Sequence, residues 1–295
     1  RFILKRLQYG FWVLLGVLGL IFFLFNVLPG DPARMMLGQR ADLASVEAIN
    51  RDLGRDQPLP LQFLNYLNDL SFLSLHVNDR PESHWYFDPQ KYAPCIPLLK
   101  AGSHTLVLKA PYLRRSYQTK REVTEILSEA FVNTLVLALV SMAFAVVIGV
   151  ALGILCAVKK NTFIDRLALV FSVLGMSLPS FFAAILVAWV FAFLLAAQTG
   201  LNMTGSLFSV DDFGRGEYLD LKNLILPALT LGIRPLAIVV ELTRNSMLEV
   251  LAQDYIRTAR AKGLRYRTVL LKHALKNALN PVLTAVSGWL ASLLA

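Results

Sequence analysis

The chain has 295 residues, 56% of them hydrophobic, and a formal net charge of +9. A mean hydropathy of +0.54 excludes an ordinary soluble domain, because the apolar residues gather into runs of membrane-crossing length. The positive charge would suit nucleic acid in a soluble protein, but here it collects at the ends of the apolar runs, so no nucleic-acid partner is expected.

The first apolar run is Tyr9 to Leu28, preceded by Arg1, Lys5 and Arg6. Its far end, Asn26-Val27-Leu28-Pro29-Gly30-Asp31, has no small-x-small cleavage site, which favours a retained anchor over a signal peptide. Residues 30–129 are too long for a connector and predict a small folded cap between the first two spans. Asp31-Pro32 makes an N-cap and first-turn pair, and Ser45 caps a helix to Leu53 that Gly54 closes. Pro60 opens another helix, with Leu61, Leu64, Leu67 and Leu70 on one face. From Asn78 to Pro111 the periodicity dissolves, apart from one strand at Thr105 to Lys109.

Four more runs follow: Ala130 to Val158, Leu167 to Ala197, Leu224 to Val240 and Ala278 to Ala295. Each approaches the ~20 apolar residues that a bilayer core of about 30 Å requires. Pro179, within Gly175-Met176-Ser177-Leu178-Pro179-Ser180, should kink or break the third run. Such a break either lines a transport path or serves packing alone. Residues 199–222 are rich in glycine and predict a loop with one short helix. In the fourth run Arg234 and Glu241 lie seven apart on one helix face. Charges at that depth must face protein or a water-filled path, so the two are either translocation-path residues or a structural ion pair.

With the amino terminus in the cytoplasm, the inner segments are Arg1 to Arg6, Lys159 to Arg166 and Arg244 to Lys276. They hold 14 Lys and Arg against only Asp165, Glu249 and Asp254, as the positive-inside rule requires. Cys95 in the cap and Cys156 near the inner end of the second span cannot reach one another, so no internal disulfide is expected. His76, His84, His104 and Cys95 match no metal-ligand spacing, and His273 reads as structural at the start of the fifth span. No metal or cofactor is expected in this chain. It has no G-x-x-x-x-G-K-[ST] phosphate loop, and no G-x-S-x-G or H-E-x-x-H set that would make it an enzyme.

The segment from Glu249 to Leu264 predicts a short amphipathic helix between spans. Asp254 sits in its first turn, Arg260 and Lys262 in its last, and Gly263 is placed for a left-handed cap. Ile256, Ala259 and Gly263 form a shallow apolar ridge flanked by cations, suited either to a groove on another protein or to a charged inner loop touching anionic lipid. The order Tyr255-Ile256-Arg257-Thr258-Ala259-Arg260-Ala261-Lys262-Gly263-Leu264, followed by Leu271-Lys272-His273-Ala274-Leu275-Lys276-Asn277-Ala278-Leu279-Asn280-Pro281, resembles the coupling-helix signature of ABC importer permeases of the dipeptide/oligopeptide/nickel branch. Arg257-Thr258-Ala259 stands where other branches carry Glu-Ala-Ala. Leu28-Pro29-Gly30-Asp31-Pro32-Ala33-Arg34, Asp56-Gln57-Pro58-Leu59-Pro60 and Arg115-Ser116-Tyr117 resemble the B-type subunit of that branch, with residues near 77–111 as an insertion.

The resemblance implies an all-α integral membrane protein of the type I ABC importer permease fold, with five spans visible of an expected six and an external cap. It implies three parts: residues 1–29 with the first span, the cap at 30–129, and a permease core at 130–295 holding the coupling region 251–276. It also implies a C-type permease partner, two ATPase subunits that bind ATP and Mg²⁺, and an external solute-binding protein. The location would be the bacterial inner membrane, with lipid around the spans. Tyr255, Ile256, Arg257, Thr258, Ala259, Arg260 and Gly263 would contact the ATPase. The chain begins at Arg1 rather than Met and its last run has no polar flank, so a fragment lacking both ends is expected. The solute would be a di- or oligopeptide, with nickel or glutathione as alternatives within the fold. A membrane-anchored enzyme with a catalytic cap is the alternative from another class.

Overall fold

The computed structural model describes residues 2–26, 50, 54–55, 57–79, 83, 85–88, 91–92, 94–116, 119, 121–210 and 216–294. The chain separates into two units, Arg1–Glu129 and Ala130–Ala295.

In the first unit α1 (Phe2–Asn26) is a single apolar helix of 25 residues. Over Ile3–Asn26 it is long and apolar enough to cross a membrane; none of its described residues is buried, and Leu15, Leu18, Phe22 and Asn26 along one face are half-buried. Its last turns meet α2 (Leu59–Leu70), where the Phe22 ring lies 5.1 Å from Phe63 and 5.8 Å from Tyr66. The expected features at Asp31-Pro32 and from Ser45 lie outside the described residues, but the turn that closes at Gly54 is present. Gly54 has φ 71°, and the Arg55 N–H donates to the Asn50 carbonyl at 2.9 Å.

α2 begins where Pro60 predicts, but it does not bury its leucine stripe: Leu61 and Leu64 stay exposed while Asp69 is buried. The reason is the sheet beside it. β1 (Leu73–Val77), β2 (Cys95–Ala101) and β3 (His104–Lys109) form an antiparallel sheet of order β1-β3-β2, so the all-α expectation is corrected. The expected strand at Thr105 to Lys109 is β3; β1 and β2 were not expected. β1 hides from a hydropathy reading because its alternation is inverted. Ser74 and His76 point inward with Thr105 and Lys109, while Leu73 and Leu75 point out with Ile96, Leu99 and Leu108.

The buried polar face is organised by Asp69. Its carboxylate accepts from the Tyr92 hydroxyl and from Arg114 Nε, both at 3.0 Å, and its backbone oxygen accepts from Lys109 Nζ at 2.5 Å. Lys109 Nζ also stands 4.8 Å from the centre of the Tyr92 ring. Burial, with a contribution from the Asp69 charge, pushes the Tyr92 hydroxyl well above its ordinary value, and burial lowers Lys109. His76, fully buried with Nε2 2.9 Å from Ser74 Oγ, is lowered by burial first and by the Lys109 charge second.

In the second unit α3 (Val123–Val158), whose first turns belong to the first unit, is followed by α4 (Phe163–Ser177) and α5 (Ser180–Ala188), which continues as a π-helical turn at Trp189–Leu194. The expected third run is therefore not one straight span. It bends by 113° at the break before Pro179, as proline's missing N–H predicts. After α6 (Ala196–Thr199), a small hairpin of β4 (Phe208–Val210) and β5 (Glu217–Leu219) occupies the expected loop. α7 (Lys222–Leu251) extends the fourth run at both ends. α8 (Asp254–Ala261), the short α9 (Tyr266–Thr268), a π-turn at Val269–Ala274 and α10 (Leu275–Leu294) complete the chain.

Among the described residues, α1, α3 and α7 each suffice to cross a membrane, and the bent pair α4 and α5 makes a fourth span if taken as one. α10 falls short by composition, because Lys276, Asn277, Asn280 and Pro281 interrupt its first half. α3 and α7 touch almost backbone to backbone. A Cβ on Gly153 would lie 2.5 Å from Thr243 Cβ and 2.8 Å from the Val240 oxygen, and Gly149, one turn earlier, meets Val239 in the same way. This spacing of small residues lets apolar helices associate where lipid removes the hydrophobic drive between them. Cys95 and Cys156 are both free.

The His76 shift fixes a pH response. A histidine held below its ordinary value of 6.5 contributes stability that is fully present above 6.5 and is lost as the pH falls below it, since the unfolded chain then binds the proton more readily. Acidification from pH 7 to pH 5 should therefore lower the protection factors of the β1 and β3 amides, each taken against the intrinsic exchange rate at that pH. His76→Gln should remove that slope.

Candidate functional site

The region from the end of α7 to the start of α10 is built around one short helix. α7 ends in a turn in which the Ala252 N–H donates to Glu249 O and the Gln253 N–H to Val250 O. Gln253, with φ −70° and ψ 149°, redirects the chain, and α8 begins at Asp254. Asp254 lies in the first turn, where a carboxylate complements the helix dipole, and is 3.4 Å from Arg257. At the other end the Leu264 N–H donates to Ala259 O and the Gly263 N–H to Arg260 O, the two bonds of a Schellman motif. Gly263 has φ +77° with nothing within 4 Å of an added Cβ, so glycine is required there by backbone conformation alone.

The side chains divide cleanly, and the division corrects the expected docking ridge. Ile256 is 0% exposed and Ala259 7%, so neither is available to a partner.

 Both pack into a dry cluster with Ala157 of α3, Met247 of α7, Val269, Leu270 and Ala274 of the π-turn, and Ala278 of α10. The ridge is thus an internal anchor. What α8 leaves outward is Arg257, Thr258, Arg260, Ala261 and Lys262, followed by Gly263 and Leu264. Tyr255 lies at the margin, 42% exposed, with its hydroxyl accepting from Asn277 Nδ2 at 2.8 Å, which ties α8 to α10.

Two arginines of α7 hold α4. Arg244 was counted in the sequence only as an inner charge, as was Asp165. In the structure Arg244 Nε donates to Asp165 Oδ1 at 2.5 Å and Nη2 to Oδ2 at 2.8 Å, while the Asn161 N–H donates to Oδ2 at 2.9 Å. Asp165 is 1% exposed. The pair joins residues 79 apart, so no local pattern could reveal the partner, although a lone acid opening a helix in a basic segment was a visible signal. Arg234 Nη2 donates to the Met176 carbonyl at 3.4 Å, directly before the break at Pro179. Two expected path residues, Arg234 and Pro179, are thereby brought to one place, and Glu241 lies two turns further along α7, half-buried. His273 is half-buried within the π-turn. Among the described residues no group of three or more His, Cys, Asp or Glu could hold a metal ion.

Residues 149–294 match the family described as binding-protein-dependent transport system inner membrane component, and residues 1–80 match its N-terminal domain. The chain belongs to this family. A glutathione transport system permease protein from Pectobacterium atrosepticum is 36% identical over 284 residues, covering 96% of this chain and 76% of that protein. A dipeptide transport system permease protein from Alkalihalophilus pseudofirmus is 31% identical over 296 residues, covering 96% and 78%. A putative peptide permease protein from Brucella suis biovar 1 is 34% identical over 292 residues, covering 98% and 78%. The likeness spans both units, and it makes this chain an inner-membrane permease subunit of an ABC importer, a transport component rather than an enzyme.

The division of α8 predicts two kinds of variant. Ile256→Ala should open a cavity in the dry cluster and cost about 2–4 kcal/mol of stability. Arg257→Ala, on a side chain 75% exposed, should stay within about 0.5 kcal/mol of the parent. Thermal unfolding of the purified protein in detergent measures both.

Proposed function

We propose that this chain is the B-type permease subunit of an ATP-driven importer of short peptides, and that the outward face of α8 receives the stroke of the ATPase. The substrate rests on the relatives, which are named for dipeptides, peptides and glutathione, the last itself a tripeptide. The coupling role rests on one observation. α8 has its apolar face locked into the helices around it and its cationic face free, so a partner that grips Arg257, Thr258 and Arg260 pulls on the anchored helices as well.

In this reading residues 1–29 carry the first span, 30–129 form an external cap, and 130–295 form the permease core, with 251–276 as the coupling region. The amino terminus and α8 lie in the cytoplasm, the side to which the 14 Lys and Arg of the inner segments assign them. A C-type permease completes the pathway, two ATPase subunits bring ATP and Mg²⁺, and an external binding protein delivers the peptide. Tyr255 and Gly263 keep their place in the coupling site as the latch to α10 and the turn that ends α8. Ile256 and Ala259 act from inside, as its anchor. Glu241 is the path residue retained here, with Pro179 shaping the path, while Arg234 closes the helix break.

The charge-reversed Arg257→Glu/Arg260→Glu variant should lose at least about ten-fold of its co-purifying ATPase while unfolding at the parent temperature. Retention of the ATPases by that variant would refute the assignment of this face. Uptake of labelled dialanine, glutathione and Ni²⁺ by the reconstituted complex tests the solute, with uptake of Ni²⁺ alone as the outcome against peptides. Within the path, Glu241→Gln should lower uptake at unchanged thermal stability, whereas Arg234→Gln should lower both together.

A further inference from the structure

Asp165–Arg244 is the most deeply buried ion pair among the described residues, with side chains 2% and 14% exposed, and nothing in the transport reading uses it. Its position on α7 is informative. Arg244 lies three residues before Met247, on the same side of the helix, and Met247 is part of the cluster that grips Ile256 of α8. At the other end of α4, Arg234 of the same helix holds the Met176 carbonyl beside the 113° break. α4 is therefore fastened to α7 at both ends by arginines ten residues apart, about 15 Å along a helix rising 1.5 Å per residue.

We propose that Asp165 and Arg244 form a positioning pair that makes α4 move with the coupling helix. A displacement of α8 passes through the apolar cluster shared by Ile256 and Met247 to α7, and through the ion pair to α4 and the broken helix beyond it. This rests on the reading of α8 as the ATPase contact. The chemistry suits the task. Two parallel N–H···O bonds from a planar guanidinium, with a third donor from the Asn161 backbone, fix both separation and rotation. An apolar contact in the same place would resist separation but not sliding. Burying such a pair brings little net stability compared with well-packed apolar residues, so its selective value lies in geometry.

The test uses the complete complex in proteoliposomes and reads the ATP hydrolysed per labelled peptide imported, with dialanine or glutathione, whichever the parent complex takes up. Asp165→Asn and Arg244→Gln should each raise that ratio at least about five-fold while the ATPases still co-purify. The double variant should be no worse than the more damaging single one, because both remove the same contact. Asp165→Leu/Arg244→Met leaves no buried charge and should assemble normally, yet keep the raised ratio. If the single variants fail to assemble, this apolar pair decides alone. A parental ratio in any assembled variant, or effects that multiply in the double one, would overturn the inference. If the parent chain does not retain ATPases at all, the reading of α8 falls and this inference falls with it; a parental ratio with ATPases bound removes the ion-pair role only.

Discussion

The burial of Ile256 and Ala259 fixes the position of the elements around them. A helix as short as α8 does not persist in water by itself, so its order must come from tertiary contact. Ile256 supplies it. Full burial of such a side chain contributes roughly 1.5–3 kcal/mol, and its neighbours come from α3, α7, the π-turn and α10 together. Once that contact is made, the chain has to reverse within a few residues to re-enter along α9 and the π-turn. The left-handed Gly263 provides the reversal, and the Tyr255–Asn277 hydrogen bond closes the gap between α8 and α10. A cationic face is left outward because Ile256 and Ala259, the two buried side chains of the helix, point the other way.

A second constraint acts further into the spans, where no water satisfies backbone groups or separates helices. Proline at 179 leaves carbonyls at the end of α4 without a helical donor, and at Met176 the structure supplies a side-chain donor from α7. The glycines of α3 act by absence: without Cβ atoms at 149 and 153, the α3 and α7 backbones come close enough for dispersion to hold them. The arginine that seems out of place in an apolar run and the glycines that weaken a helix thus have one origin, the lack of a competing solvent.

Much of this was legible in the sequence, for reasons that differ by element. The spans α1, α3 and α7 follow from run length, and the break at Pro179 follows from a missing N–H, so both survive translation into three dimensions. The bounds of α8 were legible because Asp254, the terminal cations and Gly263 act locally. The direction of its apolar face was not. Ile256 and Ala259 look the same whether they meet a partner or Met247, and only the fold decides. The Asp165–Arg244 pair was hidden by its sequence separation, and β1 by a strand whose polar residues are the buried ones.

That inverted strand has a consequence for handling the protein. The sheet of the first unit turns Leu73, Leu75, Ile96, Leu99 and Leu108 outward as one aliphatic surface, and β2 lies at its edge, whereas the outward backbone groups of β1 are bonded to Asn68, Ser71, Trp85 and Phe87. Excised from the chain and placed in buffer, a segment with that surface would pair edge to edge and precipitate, however well its polar interior around Asp69 were formed. Solubility, rather than folding, would then limit any attempt to work with it in isolation, and charged substitutions at Leu75 and Leu99 are where relief would begin.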